Sequence, residues 1–162
     1  REVLLDRAAT QVLPEVDGAA ADLVVTSPGW RPDQPLLMAA HAAGLPIWSD
    51  VELAWRLRER AGRKTADWVC LTGTNGKTTT VTMVEAILRA DGRRAVACGN
   101  VGTPVLDAIR DPQGFDVLAL ELSSFQLHWT HGLAPASSAV LNLAEDHVDW
   151  HGSMEELSLI HI

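Results

Sequence analysis

The chain predicts an α/β fold with a mainly parallel sheet, and three features carry that expectation. Short apolar runs alternate with segments of helical period, the order expected of parallel strands joined by crossover helices. Val117-Leu118-Ala119-Leu120 is continuously apolar, as a strand covered on both faces must be. Trp68 to Leu71 leads into Thr72-Gly73-Thr74-Asn75-Gly76-Lys77-Thr78-Thr79-Thr80, after which Val81, Val84, Ile87 and Leu88 recur at helical spacing. The order is strand, glycine-rich turn, helix, the context that makes Gly-Lys-Thr a phosphate site.

The elements follow in order. Val3 to Leu5 reads as a strand and Pro14 to Gly18 as a turn. Leu23-Val24-Val25-Thr26 is a β-branched strand closed by the turn Ser27-Pro28-Gly29. Residues 35–43 form a helix with Pro35 in its first turn and Gly44 past its end. Ile47-Trp48 is a short strand. Ser49 and Glu52 have the spacing of a capping box, so a helix starts there and runs to about Arg60. Gly62 to Ala66 is polar and aperiodic and marks a domain boundary. After the phosphate-loop helix, which Asp91-Gly92 ends, come a strand over Ala95–Cys98 and a helix over Val105–Arg110. The strands Val117–Leu120 and Ala139–Leu143 follow. Residues 144–153 read as a loop.

Composition narrows the function. At 162 residues there is room for one domain or parts of two. Hydrophobic content of 47% and charged content of 21% fit a globular chain. A net charge of −8 leaves no basic stripe to neutralise a nucleic-acid backbone, which argues against a general nucleic-acid binder. Cys70 and Cys98 both lie in apolar runs, as buried free thiols in a reducing compartment would. No run approaches the length of a membrane span and no secretory segment opens the chain, so a cytoplasmic protein is expected.

The chemistry of the loop is that of polyphosphate binding. Glycine lets backbone N–H groups approach an anion without an intervening Cβ. The helix start adds unpaired N–H groups and a partial positive charge. Lys77 is the mobile cation for the β- and γ-phosphates, and the Thr78 hydroxyl suits Mg²⁺. The loop is a variant, because the common spacing would put its first glycine at the position of Leu71. Glu121 ends a buried strand, where open α/β sheets place their sites, and a carboxylate there suits a hard cation. His147 follows another strand and is expected to face the same crevice. Zinc is not expected at His147 and His151, because no third close histidine or sulfur ligand accompanies them. His128 and His131 show no partner pattern and are expected at the surface.

These motifs, in this order, resemble the Mur ligases of peptidoglycan synthesis. Carrying the resemblance are Ser27-Pro28-Gly29, Thr72–Thr80, Gly99-Asn100-Val101-Gly102, Glu121-Leu122-Ser123-Ser124-Phe125-Gln126-Leu127, and Asp146-His147-Val148-Asp149-Trp150-His151-Gly152-Ser153-Met154-Glu155. The stretch from Glu121 to Leu127 is most similar to the branch of the family that adds D-glutamate. The resemblance implies a partial Rossmann-like UDP-substrate domain over residues 1–65 and a partial P-loop-type central ATPase domain over 66–162. It implies that Gly73, Thr74, Asn75, Gly76, Lys77, Thr78 and Thr79 bind ATP, with Lys77 on the γ-phosphate. Thr78 and Glu121 would hold one Mg²⁺, and His147 would help hold a second. Ser27, Asn100, Ser123 and Gln126 would contact the substrate UDP-N-acetylmuramoyl-L-alanine, whose acyl phosphate D-glutamate would then attack. A monomer is expected.

Two departures qualify that expectation. The family carries a carbamylated lysine downstream of the His151–Glu155 stretch, whereas this chain has only Lys64 and Lys77. Arg1 is not an initiator methionine, and the tail from Leu157 departs from the family pattern. The expectation is therefore a fragment, cut at both ends and inactive by itself. A nucleotide hydrolase or kinase, or a non-catalytic nucleotide- or UDP-sugar-binding module, remains as an alternative from the phosphate loop alone.

Overall fold

A computed structural model describes residues 10–59 and 64–160. Its centre is a four-stranded parallel sheet in the order β6-β7-β5-β8, formed by Asp67–Thr72 (β5), Ala95–Gly99 (β6), Val117–Glu121 (β7) and Ser137–Val140 (β8). All five residues of β7 are buried, because β5 and β6 flank it and helices cover both faces. Side chains alternate between those faces. Trp68, Cys70, Leu118 and Leu120 pack to one side with Val51, Ala54, Val105 and Ala108. Leu71 and Ala119 pack to the other side against Val81. The first face is thus covered by Asp50–Leu57 (α2) and Val105–Arg110 (α4), and the second by Lys77–Ala90 (α3). Each fully buried leucine here is worth about 1.5–3 kcal/mol.

Before α2 the chain forms a smaller unit. Glu15–Val16 (β1) and Ala19–Ala20 (β2) make an antiparallel hairpin through Asp17 and Gly18, both at positive φ. The turn expected over Pro14–Gly18 narrows to Asp17 and Gly18, because Glu15–Val16 is strand; the strands are too short to show period-2 patterning. Val24–Thr26 (β3) pairs in parallel with Ile47–Ser49 (β4) across Pro35–Ala42 (α1). Leu37, Ala40 and Ile47 form its core. The helix α2 follows β4 without a break, yet it gives Val51 and Ala54 to the core of the central sheet. A boundary near residue 65 therefore falls after a helix that both units share.

Several expectations need adjustment. The last strand covers Ser137–Val140 rather than 139–143. It is an exposed edge strand, so serines are tolerated and an apolar run does not define its limits. Residues 144–153 are not all loop: Val148–His151 form α6 and Met154–Leu159 form α7, in addition to Ser124–His128 (α5). These helices are too short for a periodic signal, but Ser153 caps α7 by accepting from the Glu156 N–H at 3.1 Å. The tail continues as helix to Leu159, with Leu157 buried. Val3–Leu5, Arg60 and the last two residues lie outside the described residues.

Candidate functional site

The C-terminal ends of all four central strands converge, as open parallel sheets require of their binding crevice. The phosphate loop leaves β5, Asn100 leaves β6, Glu121 ends β7 and Asn142 follows β8. Gly73, Thr74, Lys77, Asn100, Ser123 and His147 line one cavity of about 140 Å³, together with Ser124, Phe125, Asp146 and Leu157. Six residues expected at the site by sequence, Gly73, Thr74, Lys77, Asn100, Ser123 and His147, therefore share one space.

Glu121 is not among the residues lining the cavity but joins the phosphate-loop helix to Asn100, which is. Glu121 is buried, yet its Oε2 accepts a hydrogen bond from the Thr78 hydroxyl at 2.8 Å and its Oε1 accepts from the Asn100 Nδ2 at 3.0 Å. The Asn100 N–H also donates to the Glu121 carbonyl at 2.9 Å. This close approach of β6 to β7 requires glycine at position 99. Gly99 has φ +102°, and a Cβ there would collide with the Glu121 carbonyl oxygen. The Thr78 hydroxyl and the Glu121 carboxylate thus meet beside the loop, oxygen donors of the kind a hard cation takes, while Asn100 turns its amide nitrogen to the carboxylate. Among the described residues, no three His, Cys, Asp or Glu side chains cluster as metal ligands.

Lys77 folds back over the loop, its Nζ donating to the carbonyls of Gly73 at 2.7 Å and Thr74 at 3.1 Å. Gly76 caps α3, so the N–H groups of the first helical turn open at the loop. His147 sits at the start of α6 with φ +50°, half exposed, 3.6 Å from the Asp146 carboxylate. Its ring packs on Phe125 at 4.7 Å, and Phe125 also meets Trp150 at 4.9 Å. His151 is buried and bonds the Ser124 hydroxyl at 2.9 Å through its Nε2. An aromatic cluster therefore ties α5 to α6 beneath the histidine.

The remaining expected residues lie elsewhere. Gln126 is buried: its Oε1 accepts from the Ser123 N–H and hydroxyl, and its Nε2 donates to both Asp50 oxygens at 3.1 and 3.3 Å. Its amide is fully engaged and does not open into the cavity. Ser27 lines a separate apolar cavity with Val24, Trp30 and Leu37. The turn that holds it meets α6, where Trp150 Nε1 donates to the Gly29 carbonyl at 3.3 Å. Thr79 is exposed on α3 and lies outside the lining of the cavity. His128, expected at the surface, is half-buried and edge-on to Trp129 and Trp150. Burial pushes its pKa below the ordinary histidine value, with His131 pushing the same way and Glu156 opposing.

The sequence did not flag Glu52 as more than a cap. Ser49 accepts from the Glu52 N–H at 3.1 Å, but the reciprocal half of the box is missing, because the Ser49 N–H goes to the Trp129 carbonyl. The buried Glu52 carboxylate instead accepts from the N–H groups of His131 and Gly132, each at 2.9 Å, and from Arg56 Nε at 2.7 Å. Burial alone would raise its pKa; the bonds from Gly132, His131 and Arg56 outweigh that and hold it below the ordinary glutamate value. Ser49 and Thr130 hydroxyls lie 2.7 Å apart. The start of α2 thus grips the segment just after α5. No periodicity signals such a contact between residues so distant in sequence.

The architecture defines an α/β protein built around a phosphate-loop-type strand, turn and helix. Residues 71–159, more than half of the chain, match the family model of the Mur ligase middle domain. The chain belongs to the Mur ligase family. It is 59% identical over 143 residues to a UDP-N-acetylmuramoylalanine--D-glutamate ligase of Streptomyces coelicolor, covering 88% of this chain and 30% of that one. It is 64% identical over 139 residues to the protein of the same name in Thermobifida fusca, covering 85% and 29%. The chain therefore spans about 30% of the length of these curated relatives. Among solved structures it resembles a UDP-N-acetylmuramoyl-L-alanyl-D-glutamate--2,6-diaminopimelate ligase, with TM-score 0.57 and 22% identity over 86% of this chain and 37% of that one. At that identity the likeness concerns the fold alone.

Proposed function

We propose that the chain carries the nucleotide-binding centre of an ATP-dependent ligase that joins D-glutamate to UDP-N-acetylmuramoyl-L-alanine. The observation that carries this is the hydrogen-bonded set Thr78–Glu121–Asn100, whose Asn100 lines one cavity with Lys77 and His147. The names of its relatives support the choice of substrates. An enzyme using these soluble nucleotides would work in the cytoplasm.

The reaction sets an anion against an anion. An oxygen of the alanyl carboxylate attacks the γ-phosphorus of ATP, ADP leaves, and an acyl phosphate remains. The amine of D-glutamate then attacks that carbonyl, loses a proton and expels phosphate. Lys77 exchanges its loop carbonyls for phosphate oxygens and offsets the charge that develops at transfer. The first-turn N–H groups of α3 hold the phosphates in line. Mg²⁺, when bound by Thr78 and Glu121 with a second ion near His147, supplies further offset of the repulsion. Asn100 orients the Glu121 carboxylate through its side-chain amide, and its N–H holds the Glu121 backbone carbonyl. Ser123 faces the substrate side of the cavity; Gln126 acts through it, locking its hydroxyl and tying it to Asp50 on α2.

The test is isotopic. With ¹⁸O in the alanyl carboxylate, the full-length ligase should release phosphate that carries ¹⁸O, because the acyl oxygen leaves with phosphorus. Unlabelled phosphate would mean hydrolysis by water and would overturn the ligase in favour of a nucleotide hydrolase.

A further inference from the structure

We infer that Asn142 is a positioning residue for the phosphate loop, clipping Thr74 and Asn75 so that the N–H groups of the first turn of α3 face the anion. This rests on the nucleotide site proposed above. Asn142 Oδ1 accepts from the Asn75 N–H at 2.9 Å, while its Nδ2 donates to the Asn75 carbonyl at 2.8 Å. Its own carbonyl accepts from the Thr74 N–H at 3.2 Å. Two residues on, the Ala144 N–H donates to the Thr74 hydroxyl at 2.9 Å, and that hydroxyl donates to the Ala144 carbonyl at 3.2 Å. Every polar backbone group of Asn75 and the N–H of Thr74 are thus committed to the segment after β8.

Two consequences follow. First, the loop donors divide into two sets. Those of Thr74 and Asn75 are spent on Asn142 and Asn75 holds the turn, while the groups opening α3 have no intrahelical partner and remain for phosphate. Second, the clip demands a bare backbone opposite it. A Cβ on Gly73, whose φ is +137°, would lie 2.9 Å from the Asn142 carbonyl oxygen. A carboxamide alone among side chains offers a donor and an acceptor side by side in one plane, matching one residue's C=O and N–H. Aspartate keeps the acceptor, loses the donor and adds an anion beside the triphosphate. Alanine loses both bonds. Because the same segment leads to Asp146 and His147, the clip also registers that rim against the loop.

The test is calorimetric titration of the full-length ligase with Mg-ATP, for wild type, Asn142→Ala and Asn142→Asp, alongside nucleotide-free melting curves. A preorganised loop predicts binding weakened about tenfold in Asn142→Ala and more in Asn142→Asp, with nucleotide-free melting points unchanged. Equal affinity in wild type and Asn142→Ala would overturn the role of Asn142 and leave the nucleotide site standing. Loss of binding together with a collapsed melting point in both variants would also overturn it, in favour of a plain structural role. No binding by wild type would remove the nucleotide site itself, and this inference with it.

Discussion

Glu52 offers a direct test of how α2 is joined to the segment after α5. Its carboxylate is fully buried and accepts from two backbone N–H groups, at His131 and Gly132, as well as from Arg56. Hydrogen bonds to a charged group are worth about 1.5–3 kcal/mol each. Glu52→Ala removes both and strands two N–H groups away from water. Arg56 is about half exposed and can turn to solvent, so it adds little. A loss of about 3–6 kcal/mol is expected, the worth of two such bonds. Glu52→Gln keeps one oxygen for both N–H groups, since both bonds reach Oε2, but sets an amide nitrogen against Arg56; a loss of about 1–2 kcal/mol is expected. Urea unfolding of the 162-residue chain measures both. The pH dependence has a definite sign. The folded carboxyl lies below its unfolded value, so the native state binds fewer protons. Its contribution is full above the unfolded value, about 4.3–4.5, and fades as pH falls through the folded one. The gap between wild type and Glu52→Gln should therefore narrow below about pH 4.5. A Glu52→Ala loss under about 0.5 kcal/mol, or a gap constant down to pH 3, would refute the reasoning.

Three further outcomes follow from the same geometry. Gly99→Ala should strain the β6–β7 approach by about 1–3 kcal/mol and lower ligase turnover through Asn100 and Glu121; unchanged kcat in steady-state assays would contradict it. Glu121→Gln should raise the Mg²⁺ concentration for half-maximal activity roughly 10–100-fold, measured by Mg²⁺ titration, and an unchanged dependence would remove Glu121 from the cation site. Burial pushes the thiols of Cys70 and Cys98 up to about 12, so both should resist Ellman's reagent at pH 8 until urea is added; reaction of the native chain would show that the sheet opens.

The parallel sheet was legible because its signals are local and strong. Val117–Leu120 had to be buried on both faces, and the Gly73–Thr78 turn had to join a strand to a helix. Glu121 was legible as a strand-end carboxylate, and the structure sets it against Thr78. Other features depend on contacts far apart in sequence. Asn142 lies inside the apolar run that predicts a strand over 139–143, yet β8 ends at Val140 and frees its carboxamide for the loop. The resemblance places Gln126 at the substrate, whereas its amide bonds Ser123 and, across a long sequence separation, Asp50, a contact no local pattern signals. Short helices such as α6 escape periodicity altogether, and the edge strand β8 escapes hydrophobic patterning.

The central claim is that this crevice serves amide-bond formation with D-glutamate. Phosphate release should be measured for the full-length ligase with ATP, Mg²⁺ and UDP-N-acetylmuramoyl-L-alanine, adding D-glutamate, L-lysine, meso-diaminopimelate or no amino acid. The account predicts release that requires D-glutamate and disappears in Lys77→Ala. Release at the same rate with every amino acid, or with none, would contradict it.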